Sequence, residues 1–282
     1  MTDEVNMRTG EVRSAGGKMR MRLEDRVAVI TGAGSGIGKA MAHRFASEGA
    51  KVVCVSISRN GIDVADEIGT AAVGVQADVS EEADVRRFIA TAEEEYGRID
   101  ILVNNAGFGG GLMPLHEQTT ENWDRVHGVN LRGVFFCMKY GILSMRESGG
   151  GSIVNISSAT AVVGWKHHGV YSAAKAGVNQ LTKAAALDYA DDNIRVNAVC
   201  PGTIWTGLVP HARLFPTPPP GTSRVAGIPM DRWGLSDEIA SAALFLASDE
   251  SSYMTGVVMP VDGGYSVGFS GMGAEKTGQP SA

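Results

Sequence analysis

The sequence predicts an α/β fold in which a doubly wound parallel sheet of about seven strands lies between layers of helices. Three observations predict it. Short apolar, β-branched segments alternate with helix-length segments along most of the chain, the pattern that builds right-handed β–α–β units. Several of the short segments, such as Ile101-Leu102-Val103, are apolar at every position, as strands covered on both faces must be. The first of them, Val27-Ala28-Val29-Ile30, also runs through a glycine-rich turn, Thr31 to Gly38, into the helix-like Lys39-Ala40-Met41-Ala42.

Taken in order, strands are expected at 27–30, 51–57, 71–76, 101–104, 151–156, 194–199 and 257–261. Helices are expected at 38–48, 62–68, 81–96, 120–146, 169–189 and 236–247. No composition break or internal repeat divides them, so 23–267 reads as one Rossmann-like domain. The exception is a stretch with Pro210, Pro216, Pro218, Pro219 and Pro220, long and proline-rich enough to expect a functional loop. Its place shortly after a strand end makes 207–229 a candidate substrate lid. Residues 1–22 hold five basic and three acidic residues and no apolar run. They are expected to be a disordered tail, neither secretory signal nor transit peptide. The folded pattern starts only at Leu23, so Met19 and Met21 are candidate starts. The glycine-rich 268–282 is expected to be a second flexible tail.

At 282 residues, with 44% hydrophobic and 20% charged residues, the composition is that of a soluble globular protein. A net charge of -6 without a basic stripe argues against nucleic acid as a partner. No apolar run approaches the ~18 residues of a membrane span. Cys54, Cys137 and Cys200 are odd in number, far apart and set in apolar stretches, which suits buried thiols in a reducing, cytoplasmic setting rather than a disulfide frame. No metal is expected: His43, His116, His127 and His211 are scattered singly, and His167-His168 lacks further ligand spacing. That pair is either a loop or the border of a substrate mouth.

The turn offers an anion site. Gly32, Gly36 and Gly38 let the backbone approach phosphate oxygens, and the N–H groups of Ser35, Gly36 and Ile37 lie where a helix N-terminus begins. The spacing is not G-x-G-x-x-G, because Ile37 stands where the third glycine would fall, and Ala33 and Ala40 exclude a P-loop. Where NAD sites commonly place an acid after the second strand, this chain has Ser56, Ile57, Ser58 and Arg59. An acid would repel a 2′-phosphate, whereas Ser56, Ser58 and Arg59 can accept one, so the cofactor expectation within NAD(P) leans to NADP. Ser35, where a basic residue would favour NADP, weighs the other way.

Tyr171 and Lys175 stand at i and i+4 and so project from one helix face. A phenol ionises near ~10, and acid–base work near neutrality asks for a lowering worth roughly 4 kcal/mol. An adjacent ammonium favours the phenolate, so Lys175 is expected to supply much of it.

These motifs together resemble the short-chain dehydrogenase/reductase family, over residues 23 to 265. Thr31 to Gly38 matches its TGxxxGxG turn, Asn104-Asn105-Ala106-Gly107 its NNAG motif, and Ser158, Tyr171-Ser172-Ala173-Ala174-Lys175 and Pro201-Gly202 complete the pattern. The similarity is greatest to members such as 3-oxoacyl-carrier-protein reductases and small alcohol dehydrogenases. The resemblance implies hydride transfer between a nicotinamide and a carbonyl or secondary alcohol. Tyr171 would act as the acid/base, Ser158 would hold the substrate oxygen, Lys175 the nicotinamide ribose, and Asn130 a water in a proton relay. It implies further that Asp78 and Val79 contact adenine, and that Asn105, Ala106 and Gly107 line the cofactor. Pro201, Gly202, Ile204 and Thr206 would surround the nicotinamide. The family's equivalents of 120–146 and 169–189 pack between subunits, so a homotetramer is expected. Phe108-Gly109-Gly110-Gly111, Val162-Val163-Gly164-Trp165 and Trp205 suggest a small, mostly apolar substrate. Two other classes stay open: a dinucleotide-sensing binding protein without turnover, and a sugar-nucleotide epimerase or dehydratase.

Overall fold

The computed structural model describes residues 4–6, 11–13, 21–207, 217–218, 225 and 227–268. Its sheet has seven strands: β1 (Val27–Thr31), β2 (Lys51–Ser56), β3 (Ala72–Gln76), β4 (Ile101–Asn104), β5 (Gly151–Ile156), β6 (Ile194–Pro201) and β7 (Val258–Val261). Every adjacent pair is parallel, and the order is β3-β2-β1-β4-β5-β6-β7. The chain therefore builds outward from β1 to β3, then returns past β1 to β4. That reversal between β1 and β4 is the switch point, and open α/β sheets bind ligands in a crevice at the strand C-termini there.

Among the described residues, seven α-helices accompany the sheet: α1 (Gly36–Ser47), α2 (Asn60–Ile68), α3 (Glu82–Tyr96), α4 (Thr120–His127), α5 (Gly133–Glu147), α6 (Gly169–Asp188) and α7 (Ser236–Ala247). The period-2 pleat deals strand residues alternately to two cores. Ala28, Ile30, Ile101 and Val103 join Met41, Phe45, Ile239 and Leu244 on one face. Val29 and Leu102 join Phe88, Cys137, Ile142, Met145 and Val178 on the other. All five residues of β1 and all four of β4 are buried, which is why 27–30 and 101–103 read as unbroken apolar runs ahead of the polar Thr31 and Asn104. Burying a side chain such as Phe45 or Phe88 contributes about 1.5–3 kcal/mol.

The expected helices agree with the structure to within a residue or two at their ends, with one correction. The single helix expected at 120–146 is interrupted by a π-helical turn, Gly128–Arg132, between α4 and α5. The cause is Asn130. Its Nδ2 donates to Val126 O at 3.0 Å, the carbonyl four residues back that a regular helix would reserve for a backbone N–H.

Within residues 1–22, Glu4–Asn6 pairs antiparallel with Glu11–Arg13, and most of the remainder of that expected tail lies outside the described residues. So do most of the expected lid at 207–229 and all but Gly268 of the expected tail at 268–282. Among the described residues, no helix is long and apolar enough to cross a membrane, and no group of three or more His, Cys, Asp or Glu is placed to hold a metal ion.

Candidate active site

The loop after β1 is shaped by close backbone approach. Gly32 has φ +67, in the left-handed region, and a Cβ added at Gly38 would stand 2.1 Å from Gly32 O. Only glycine lets α1 begin this near the strand. Ser35 caps α1 in extended geometry without a side-chain cap bond, and no acid occupies the first turn. The N–H groups of that turn face outward with no carboxylate to neutralise them, the cradle that a pyrophosphate fits. Ile37 packs its side chain on the core, so it can offer only backbone to a ligand.

The loop after β4 is tied to this turn by side chains. Thr31 Oγ1 accepts from Asn105 N at 3.0 Å and Ala106 N at 3.1 Å. Asn105 Nδ2 donates to Thr31 O at 3.0 Å and to Gly32 O at 3.3 Å. Asn104 ties strands together instead, with Nδ2 donating to Asn155 Oδ1 at 2.8 Å. Gly107 then passes over the buried floor, where an added Cβ would stand 2.5 Å from Asn130 Oδ1 and 3.4 Å from Lys175 Nζ. Asn130, wholly buried, clamps this loop: Nδ2 donates to Phe108 O at 3.0 Å and Oδ1 accepts from Phe108 N at 3.3 Å.

Ser158, Tyr171 and Lys175 converge beside that floor. Ser158 follows β5, and its Oγ accepts from Thr160 N at 3.2 Å and Thr160 Oγ1 at 3.0 Å. Both acceptor positions are thus engaged, and the hydroxyl proton is left to donate. Ser158 is also near enough to Tyr171 to favour its phenolate. Ser157 points elsewhere and anchors α6 by donating to Lys175 O at 3.1 Å. Lys175 Nζ donates to Ile156 O at 2.8 Å and stands 5.8 Å from the centre of the Tyr171 ring.

The electrostatics correct one expectation. Lys175 does not by itself lower the phenol: burial pushes Tyr171 up to about 12, with the Ser158 hydrogen bond offsetting only part of it. The physical reason is that the ammonium is itself buried and aimed at Ile156 O, and desolvation brings it down to about 8. The chain alone stores a neutral phenol beside a weakened cation.

The remaining predicted residues lie around the crevice. Ser56 ends β2, its Oγ 2.8 Å from where a Cβ on Gly34 would be, directly against the glycine turn. Ser58 lies two residues further, and the exposed Arg59 pairs with Asp63, Nε to Oδ1 at 3.2 Å. Asp78 is partly committed, since its Oδ1 accepts from Ser80 N at 2.9 Å and Ser80 Oγ at 2.7 Å. Val79 is buried against Gly133 at the start of α5. Pro201 closes β6, Gly202 N donates to Val261 O at 3.0 Å, Ile204 bridges to Gly234, and Thr206 sits over Gly36. Thr31, Thr160 and the Ile156 carbonyl were not singled out from sequence. Thr31 closes β1 at the head of the glycine turn, where the sequence marks it. Thr160 and a backbone carbonyl carry no such signal.

The chain is similar to known reductases and dehydrogenases over most of its length. A family model described as enoyl-(acyl carrier protein) reductase matches residues 32–266. A levodione reductase of Leifsonia aquatica is 40% identical over 258 residues, 88% of this chain and 97% of that protein. A cis-4-hydroxycyclohexanecarboxylate dehydrogenase of Sinomonas cyclohexanicum is 43% identical over 244 residues, 86% of this chain and 96% of its own. Among solved structures, a 3-ketoacyl-(acyl-carrier-protein) reductase from Brucella melitensis complexed with NADH superposes with a TM-score of 0.80 at 41% identity, covering 86% of this chain and 99% of that one.

Proposed function

The chain belongs to the short-chain dehydrogenase/reductase family and is an oxidoreductase moving hydride between a nicotinamide cofactor and a carbonyl or secondary alcohol; from that premise we propose how its own residues carry the reaction. When bound, the dinucleotide supplies or accepts the hydride and, in its oxidised form, adds a positive ring to the crevice. Gly32, Ser35, Gly36, Ile37 and Gly38 hold its pyrophosphate, Asp78 and Val79 border the adenine, and Asn105, Ala106 and Gly107 line the ribose beside Lys175. Pro201, Gly202, Ile204 and Thr206 enclose the nicotinamide.

The observation that carries the reading is Lys175 Nζ, 5.8 Å from the centre of the Tyr171 ring and next to Asn130 under the loop at Gly107, with Ser158 Oγ holding two donors from Thr160. Ser158 holds the substrate oxygen, Tyr171 gives or takes its proton, and Lys175 passes the charge inward. Asn130 holds the loop that Lys175 faces and supports a water between them and solvent. Changing Tyr171 to Phe should lower kcat by at least about a hundredfold and leave the dissociation constant for cofactor within about twofold. A variant that turns over normally would reject the assignment.

For the cofactor, the absence of a carboxylate from Ser56 to Asn60 supports NADP over NAD, with Arg59 shared between a 2′-phosphate and Asp63. The same assay run with both reduced cofactors decides it, and a tenfold advantage in kcat/KM for NADH would overturn the preference. The substrate is a small, mostly apolar ketone or alcohol. The relatives named for levodione and for cis-4-hydroxycyclohexanecarboxylate support that size. Trp123, Phe135, Leu143 and Leu187 are exposed on α4, α5 and α6, which supports a homotetramer. Light scattering should give about four times 29.6 kDa, and a monomer mass would remove the claim. Free, buried Cys54, Cys137 and Cys200 suit the cytoplasm, which cell fractionation tests.

A further inference from the structure

Among the described residues, five side-chain polar atoms are buried without a hydrogen-bond partner: Arg22 Nε, Asn104 Oδ1, Trp165 Nε1, His168 Nδ1 and Ser172 Oγ. The last three fall in one short segment that leads into and just past Tyr171. Backbone bonds align them: His168 N donates to Trp165 O at 3.2 Å, and Ser172 N to His168 O at 2.9 Å. His168 caps α6 and Ser172 lies in its first turn, while Trp165 precedes them across a turn in which His167 has φ +67. Tyr171 lies between them in the chain, its ring edge-on to His168 at 5.9 Å. The ladder continues away from the phenol, from His168 to Trp165 at 5.3 Å and on to Tyr265 at 5.2 Å.

Burial without a partner is disfavoured for each of these atoms. Ser172 also declines the outlet that other helical hydroxyls take. Thr91, Ser148, Thr182 and Ser241 each donate to the carbonyl four residues back, whereas Ser172 leaves His168 O to its own backbone N–H. Three unpartnered polar atoms within 165–172, the segment that carries the reactive phenol, are atoms that an incoming oxygen could satisfy.

We propose that Trp165, His168 and Ser172 form a receiving corner for a second oxygen of the substrate, one that accepts hydrogen bonds. The proposal rests on the reading that Tyr171 and Ser158 hold the first. The indole N–H can only donate, so its partner is an acceptor. Ser172 can donate to the same atom, and His168 joins them in the tautomer that protonates Nδ1. Burial keeps that imidazole below its usual range, so it serves as a neutral donor. The substrate class is therefore an apolar ketone, or the matching alcohol, that carries a second carbonyl or ether oxygen.

The test compares ketones that differ by one oxygen-for-methylene exchange: 3- and 4-methoxycyclohexanone against 3- and 4-ethylcyclohexanone, assayed with the full chain and each reduced cofactor. The methoxy compound of at least one pair should be favoured by about tenfold or more in kcat/KM. Trp165→Phe and Ser172→Ala should each bring that ratio to about one, whatever they do to the common rate. A ratio near one in the wild type, or one unmoved by both variants, overturns the corner. In that case the indole N–H faces the neighbouring rings instead. Calorimetric binding of the same pairs to the Tyr171→Phe protein with cofactor separates this from the reading beneath it. A tenfold binding preference without turnover in the wild type would sink hydride transfer and keep the corner. Normal turnover without preference would do the reverse.

Discussion

Along the β1–α1 side of the crevice, Thr31 Oγ1 takes two backbone N–H groups and gives its own proton to Val103 O, while Asn105 Nδ2 closes on Thr31 O and Gly32 O. The segment from Trp165 to Ser172, on the β5–α6 side, leaves three buried side-chain atoms without partners. Both segments meet the same crevice. The first is finished by the chain itself, so its shape exists before anything binds. The second is finished only by what enters. A dinucleotide common to many enzymes suits a prebuilt cradle, and a particular substrate suits a surface whose polar groups are still unspent.

The difference is open to direct attack. The largest effect is expected from Gly38→Ala, whose Cβ would stand 2.1 Å from Gly32 O and 2.6 Å from Asn105 Nδ2. Backbone must move to admit it, at about 1–3 kcal/mol of stability. Cofactor affinity measured by fluorescence titration should fall by more than about tenfold. Unchanged affinity would show that the cradle is not prebuilt. Next comes Thr31→Val, which strips the acceptor from Asn105 N and Ala106 N. Leaving such donors unsatisfied costs about 1–3 kcal/mol, visible as a lower Tm by calorimetry. The smallest is Ser172→Ala, which deletes a hydroxyl that has no partner. Its stability should stay within about 0.5 kcal/mol of wild type or rise. If Thr31→Val and Ser172→Ala lose equally, the contrast between the two sides collapses.

Much of this was legible before any coordinates, for definite reasons. β1 and β4 are apolar at every residue but their last, Thr31 and Asn104, because helices cover both faces, and the sequence shows that directly. Gly32 and Gly38 were legible because a positive φ and a close approach both demand glycine. Tyr171 and Lys175 were legible because helical spacing puts them on one face. The π turn was not, since it depends on Asn130 reaching both Val126 O and the loop at Phe108, contacts that no local periodicity encodes. The high phenol was missed for a similar reason. Spacing placed Lys175 near Tyr171, but only the packing shows both groups stripped of water and Nζ turned to Ile156 O. Nor does spacing reveal an unpartnered atom such as Ser172 Oγ, because that is a statement about everything around it.

The π turn at Gly128–Arg132 has a further consequence. By taking up one extra residue it shifts the angular phase of α5 relative to α4. α4 turns Val126 to a small cluster with Val170 and Ala174, against which Tyr171 packs, while α5 turns Cys137, Met138, Ile142 and Met145 to the sheet. An unbroken helix would have had to serve both neighbours with a single apolar stripe. The slip works as a universal joint, with α4 packed toward Tyr171 and α5 toward the sheet, each on its own apolar face.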